Sequence, residues 1–230
     1  MLPQPNLDKE RLLASVSLFG PLTPEERSRL LTYMRLVRYP PNAVLFCKGD
    51  PGTNMMAMVR GRAKVCSHSE DGKELVLNLI NTGDVVGEIA LLDGSARTAD
   101  AVTLEECEML VLERRDFIPF LKRHPETCLK LLTVLCERVR RTSQMLEESL
   151  FLEGSARLAK RLEHLAALFG RRVPEGTEIT IKLSQQQLGN MVGMSRESMN
   201  KLLGQWRRDN LVISRNGHLV ITDLERLRDI

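Results

Sequence analysis

Between Tyr39 and Leu112 the chain is punctuated by turn signals too closely spaced for helices. Pro40-Pro41-Asn42, Lys48-Gly49-Asp50-Pro51-Gly52, Arg60-Gly61, Asp71-Gly72 and Thr82-Gly83-Asp84 separate apolar runs of four to six residues. Glycine and proline at these points break any 3.6-residue repeat, so the runs read as short strands. Asp71-Gly72 lies between Ala63-Lys64-Val65-Cys66 and Leu75-Val76-Leu77. It signals a hairpin, because a two-residue primed turn needs positive φ. Many short strands at this spacing predict a small antiparallel barrel or sandwich.

Helical patterns flank this stretch. Residues 7–38 read as helical, with Thr23-Pro24-Glu25-Glu26 supplying an N-cap, a proline in the first turn and acids on the helix dipole. Helical periodicity returns from Arg114 to about Phe151. Cys128, Leu132, Leu135, Val139, Thr142, Leu146 and Ser149 form a heptad seam, apolar up to Thr142 and mixed beyond it. Such a seam serves either a helix that pairs with its own copy or one that packs on its own barrel. Hydroxyls in a pairing seam weaken it unless they have a partner. A helix over 155–169 then ends at Gly170, and a loop with Pro174 and Gly176 follows. Ser184 and Ser195 can each N-cap a short helix, and Gly193 between them allows a sharp reversal, which is the layout of a helix-turn-helix. Met191, Val192, Leu202, Leu203 and Trp206 read as its core. Residues 210–222 then read as a β-hairpin wing around Asn216-Gly217.

The formal net charge of +3 is a mean over unlike parts. Residues 153–230 hold 13 Lys and Arg against 9 Asp and Glu, net +4, and residues 1–152 are net −1. Only the second part is charged for an anionic partner. No apolar run nears the ~18 residues of a membrane span. No secretory signal is visible, and the five scattered cysteines never form CxxC. They read as reduced core thiols of a cytoplasmic protein. Cys66-x-His68 could be read as a metal or haem pair, but two donors at one spacing do not define a site, so no metal is expected. No nucleophile–base–acid set appears, which argues against an enzyme.

The stretch Gly83-Asp84-Val85-Val86-Gly87-Glu88-Ile89-Ala90-Leu91-Leu92-Asp93-Gly94-Ser95-Ala96-Arg97-Thr98-Ala99 carries the most chemistry. Gly87–Leu92 can open a short helix whose first N–H groups face an anion. Arg97 offers a guanidinium fork to phosphate oxygens, Thr98 a hydroxyl, and Glu88 an acceptor suited to a ribose hydroxyl. An ordinary turn with an Arg–Glu pair is the other reading of the same spacing.

The run G-D-x-x-G-E-x-A-L-L…R-T-A resembles the phosphate-binding cassette of cyclic-nucleotide-binding domains. With the long helix and the Ser195-Arg196-Glu197 helix-turn-helix, it resembles the CRP/FNR superfamily of transcription regulators, of the cyclic-AMP-receptor type. The likeness runs from about Leu18 to Thr222. It implies an α+β chain in two domains. Residues 1–152 would form a jelly-roll-like cyclic-nucleotide-binding β-barrel with a dimerisation helix at about 125–152. Residues 153–230 would form a winged helix-turn-helix. In the pocket, Gly87, Ile89 and Ala90 would shape the cradle, Glu88 would hold the ribose 2′-hydroxyl, and Arg97 and Thr98 would contact the cyclic phosphate. Val65, Leu77 and Ile80 would line an apolar wall, and Arg138 would lie near the phosphate or Glu88. Thr142 and Ser143 would meet the purine, one from each subunit. The implied ligand is cyclic AMP, with cyclic GMP as a second, since Arg-Thr-Ala also occurs in domains that accept cyclic GMP. A regulator of this type that senses redox state, haem or another ligand, with its cassette unused, is the alternative. The iron–sulfur branch has clustered N-terminal cysteines that this chain lacks.

On the DNA side, Arg196 suits guanine O6/N7 and Glu197 the cytosine amino group. Lys201 could reach guanine or phosphate, and Ser184, Gln186, Ser195 and Ser198 suit phosphate contacts. The cyclic-AMP-receptor pattern has arginine where this chain has Lys201, and often glycine where it has Asn200. The implied half-site is therefore TGTGA-like and relaxed at one base, since lysine lacks the bidentate fork. Implied partners are an operator duplex, a second copy of the chain and RNA polymerase. The loop Arg171-Arg172-Val173-Pro174-Glu175 is the candidate polymerase contact.

Overall fold

Strand pairing begins earlier than the sequence pattern indicates. The computed structural model describes residues 12–16 and 18–230, without the side chains of Glu126, Arg138, Arg141 and Met145. Residues 12–15 are helical, and α1 (Pro24–Leu31) starts on a capping box between Thr23 and Glu26, as its sequence predicts. Helix does not extend to residue 38, however. β1 (Met34–Tyr39) pairs antiparallel with β8 (Cys107–Glu113), in register from Met34↔Leu112 to Tyr39↔Cys107. Six consecutive ladder pairs outweigh the local helical reading of 34–38.

The remaining strands are β2 (Val44–Phe46), β3 (Asn54–Arg60), β4 (Ala63–His68), β5 (Glu74–Ile80), β6 (Val85–Val86) and β7 (Asp100–Thr103). They form two four-stranded sheets, ordered β1-β8-β3-β6 and β2-β7-β4-β5, the two-sheet plan of a jelly-roll. Gly72 has φ +78°, but Asp71 is not in the left-handed region and residues 69–73 lie between the strands. The turn is thus longer than the two-residue primed turn expected there. One core cluster gathers Leu13, Leu18, Leu30, Met55, Leu110 and Phe117, and a second gathers Met58, Ile80, Val86, Ala101 and Met109. Phe117 meets Phe19 edge-on at 6.4 Å and stacks with Phe120 at 6.3 Å.

Between the strands lies α2 (Glu88–Asp93), and after them α3 (Arg114–Arg123) and α4 (Pro125–Phe151). The helical stretch over 114–151 is thus two helices, and the second matches the bounds of about 125–152 expected for the long helix. Proline disfavours the α conformation at the residue before it, and before Pro125 His124 leaves the helix at φ −130°, ψ 67°. The start of α4 is tied to α1. Glu26 accepts from Thr127 Oγ1 at 2.9 Å, from Lys130 Nζ at 3.0 Å and from the Thr23 N–H at 2.6 Å. Leu131 and Val134 join the first core cluster, so the first half of α4 packs on its own domain. Leu132, Val139 and Leu146 of the seam are exposed, as are Leu129 and Leu150 beside it, whereas Cys128 and Leu135 are partly buried. The own-domain reading thus applies to one face of the helix, and the apolar residues of the other face are exposed.

The chain divides into two compact units, residues 1–71 with 76–141 and residues 142–230 with 72–75, so the division falls within α4. The second unit holds α5 (Gly154–Phe169), β9 (Gly170–Val173), β10 (Gly176–Ile179), α6 (Gln185–Val192), α7 (Arg196–Arg208), β11 (Val212–Arg215), β12 (His218–Ile221) and α8 (Leu224–Arg228). The stretch read as a loop after Gly170 is the β9–β10 hairpin, which extends the β11–β12 wing into a sheet ordered β11-β12-β10-β9. Leu158, Leu162, Leu188, Met199, Leu203 and Trp206 fill its core, with Leu202 only partly buried. No helix among the described residues is long and apolar enough to cross a membrane. Of the five cysteines only Cys66 and Cys107 are core thiols; Cys47 and Cys136 are exposed.

Candidate functional site

The loop from Gly83 to Ala99 folds around one arginine. Arg97 is only 5 % exposed. Its Nη1 donates to the Gly87 carbonyl at 2.8 Å, and its Nη2 to Asn54 Oδ1 at 2.9 Å. Its Cζ lies 4.2 Å above the centre of the Phe46 ring, a cation–π contact. Its Nε is buried without a hydrogen-bond partner. Burial pushes the guanidinium below its ordinary range, while the charges of Asp50 and Glu88 oppose that shift. A buried arginine normally has its donors satisfied. Here the Nε donor is the one left unmatched, beside the first turn of the Glu88–Asp93 helix.

The cradle depends on glycine. Gly87 caps α2 at φ +85°, and a Cβ there would lie 2.4 Å from Arg97 Nη1. The first N–H groups of α2 have no acceptor within their own helix. Glu88 is buried, Ala90 is buried and Ile89 is exposed. The structure therefore brings Gly87, Glu88, Ala90 and Arg97 together, with Thr98 exposed beside them. Val65 is half-buried against the second core cluster and Ile80 is within it, but Leu77 sits on the open side of β5. Thr142 and Ser143 are exposed on α4. The Arg138 side chain lies outside the described residues.

In the second unit, Ser184 caps α6 through a capping box with Gln187, and Ser195 caps α7 by accepting from the Ser198 N–H. Ser195 Oγ also donates to Ser198 Oγ at 3.0 Å, and Gln186 Nε2 donates to Asn190 Oδ1 at 2.7 Å. Arg196 is exposed at the first turn of α7. Glu197 beside it and Lys201 one turn on are exposed and pair with each other at 2.9 Å. An exposed i,i+4 pair is worth at most about 0.5 kcal/mol, so it gives way readily to a better partner. Gly193 turns the chain at φ +68°, but Gly189 sets how closely the helices meet. A Cβ on Gly189 would lie 2.6 Å from the Met194 carbonyl oxygen, whereas one on Gly193 would meet nothing.

Residues 36–124 match the model of the cyclic nucleotide-binding domain, and residues 156–230 that of the Crp-like helix-turn-helix domain. The chain belongs to the CRP family of transcription regulators. It is 29 % identical over 218 residues to the CRP-like cAMP-activated global transcriptional regulator of Mycobacterium tuberculosis, covering 95 % of this chain and 97 % of that one. It is 29 % identical over 193 residues to the cAMP-activated global transcriptional regulator CRP of Haemophilus influenzae, covering 83 % of this chain and 85 % of the other. In structure it is similar to the c-di-GMP-responsive global regulator CLP of Xanthomonas campestris. The TM-score is 0.77 at 24 % identity, over 87 % of this chain and all of that one, a likeness of fold.

Within this CRP-family chain, three pocket residues escape a reading of the sequence. Asn54 and Phe46 hold the Arg97 guanidinium from β3 and β2. Gly52 lies so near α2 that a Cβ would meet Ala90 Cβ at 2.1 Å. The only signal for Gly52 is its place in the turn Lys48–Gly52. Asn54 and Phe46 leave none, because their role arises from strand pairing.

Proposed function

We propose that the chain is a homodimeric regulator that binds a cyclic nucleotide at Arg97, and a palindromic operator through α7. The observation that carries the reading is the buried Arg97 guanidinium, with its Nε unmatched, closed against Gly87. A cyclic phosphate is small, singly charged and presents two exocyclic oxygens on a tetrahedral phosphorus. It matches a guanidinium fork beside free helix N–H groups. Glu88 takes the ribose hydroxyl, Thr98 a phosphate oxygen, Gly87, Ile89 and Ala90 shape the cradle, and Val65, Leu77 and Ile80 line the apolar wall. Cyclic AMP is the principal ligand and cyclic GMP a second one, with Thr142 and Ser143 on α4 meeting the purine, one from each subunit, and Arg138 near the phosphate or Glu88. The exposed stripe Leu132, Val139 and Leu146 is the dimer seam. It gives the bound nucleotide a route to the partner subunit.

On the operator, Arg196 reads guanine and Glu197 reads cytosine, while Lys201 exchanges Glu197 for guanine or phosphate. Ser184, Gln186, Ser195 and Ser198 fix register on phosphates. Two copies of α7 set about one helical turn apart read a TGTGA-like palindrome. The nucleotide acts by population shift, so it must bind the DNA-competent state more tightly than the other state. The β9–β10 hairpin is the surface offered to RNA polymerase. Calorimetric titration of the full chain tests the pocket. The expected result is saturable heat with cyclic AMP; absence of both heat and thermal shift at about millimolar nucleotide would overturn the reading.

A further inference from the structure

A second group of donors lies on the sheet β2-β7-β4-β5. Cys66 and His68 stand two apart on β4, so their side chains share a face. Antiparallel register sets Cys66 opposite Asp100 of β7. The Cys66 Sγ, a ring nitrogen of His68 and a carboxylate oxygen of Asp100 all lie within 4.8 Å of one another. His68 Nδ1 and Asp100 Oδ2 are 2.8 Å apart. The thiol is buried, the carboxylate half-buried and the imidazole exposed.

We propose that Cys66, His68 and Asp100 form a binding site for a borderline-soft divalent cation of the zinc class, with solvent as the fourth ligand. Zinc takes sulfur at about 2.3 Å, and imidazole nitrogen or carboxylate oxygen at about 2.0–2.2 Å. Donors around such a tetrahedral centre are about 3.4–3.8 Å apart. The three groups therefore need to adjust by only about 1 Å, within reach of the exposed His68 ring. Asp100 is already oriented by a neighbour, since its Oδ1 accepts the Lys48 N–H at 2.7 Å, leaving Oδ2 towards His68. That is the outer-shell support typical of metal-ligating carboxylates. His68 and Asp100 pair with each other, and the Cys66 thiol lies within 4.8 Å of both. A thiolate in the set disfavours calcium and magnesium, which take oxygen donors. On binding, the Cys66 thiol forms its bond to the cation and gives its proton to solvent.

The test uses the full chain, reduced and stripped of metal, titrated with zinc calorimetrically and with cobalt by absorption. The expected result is one ion per chain, one proton released near neutral pH, and a cobalt–thiolate charge-transfer band. Cys66→Ala abolishes the band and weakens zinc binding at least tenfold. Because Cys66 is buried, His68→Ala at an exposed position and the near-isosteric Asp100→Asn serve as second probes, each also costing at least tenfold. Cys47→Ser and Cys136→Ser, at exposed thiols outside the group, leave both readouts unchanged. Absence of stoichiometric binding, or a band that survives Cys66→Ala or is lost in Cys47→Ser, overturns the proposal. Nucleotide binding enters none of these readouts.

Discussion

Gly87→Ala probes the anion site most sharply. At φ +85° an L side chain costs about 1–2 kcal/mol relative to glycine. The added Cβ lies 2.4 Å from Arg97 Nη1 and 3.2 Å from its Cζ, against an ordinary contact of about 3.5 Å. The guanidinium must withdraw by about 1 Å, which breaks the 2.8 Å bond from Nη1 to the Gly87 carbonyl. A bond from a charged donor contributes about 1.5–3 kcal/mol, some of it regained from new contacts. The expected loss of stability is about 2–4 kcal/mol. Gly94→Ala is the matched control at the other end of α2. Its φ is +78° and its Cβ would meet Arg114 Nη2 at 3.1 Å, with no contact to Arg97. It carries similar backbone strain and leaves the pocket arginine in place. Urea unfolding should show both variants destabilised. Calorimetric titration with cyclic AMP should show affinity lost by about tenfold or more in Gly87→Ala alone. Equal affinity in the two variants would refute Arg97 as the phosphate ligand.

Three further outcomes follow from particular residues. Arg97→Leu should abolish nucleotide binding, while Arg196→Ala should keep it and lose specific operator binding; like behaviour of the two in nucleotide titrations would contradict the two-site division. Gly189→Ala forces a Cβ to 2.6 Å from backbone oxygen, so the helix-turn-helix should lose about 2–3 kcal/mol and operator affinity, read by urea unfolding and gel shift. Burial pushes the Glu26 carboxyl up, but bonds from the Thr23 N–H, Lys130 and Thr127 outweigh it and hold the group below its ordinary 4.5. A group lowered on folding stabilises above its unfolded value and loses that contribution as pH falls through the folded one. Stability should therefore decline below about pH 4.5, and Glu26→Gln should flatten that acid limb in urea titrations.

Much of the architecture was legible because it rests on local chemistry. The Thr23–Glu26, Ser184–Gln187 and Ser195 caps form where their side chains indicate, since capping involves residues three apart. Gly87 and Arg97 could be read as a cradle because both lie in one short stretch. Features fixed by distant pairing were not legible. The segment Gly170–Ile179, with its Pro, Gly and charges, has weak strand preference and becomes β9–β10 only by laddering onto β12. Asn54 and Phe46 meet Arg97 only after β2 and β3 take their places. Asp100 joins Cys66 and His68 only through the β4–β7 register, which is why the Cys-x-His pair looked incomplete.

The central claim, that occupancy of the Arg97 pocket sets operator affinity, is tested most directly by thermodynamic reciprocity. Operator affinity is measured with and without saturating cyclic AMP, and cyclic AMP affinity with and without saturating operator, at one salt concentration. The account predicts that both change by the same factor, between about 5-fold and 150-fold, and that operator binding weakens steeply with salt while nucleotide binding changes little. Tight nucleotide binding with operator affinity unchanged would contradict it.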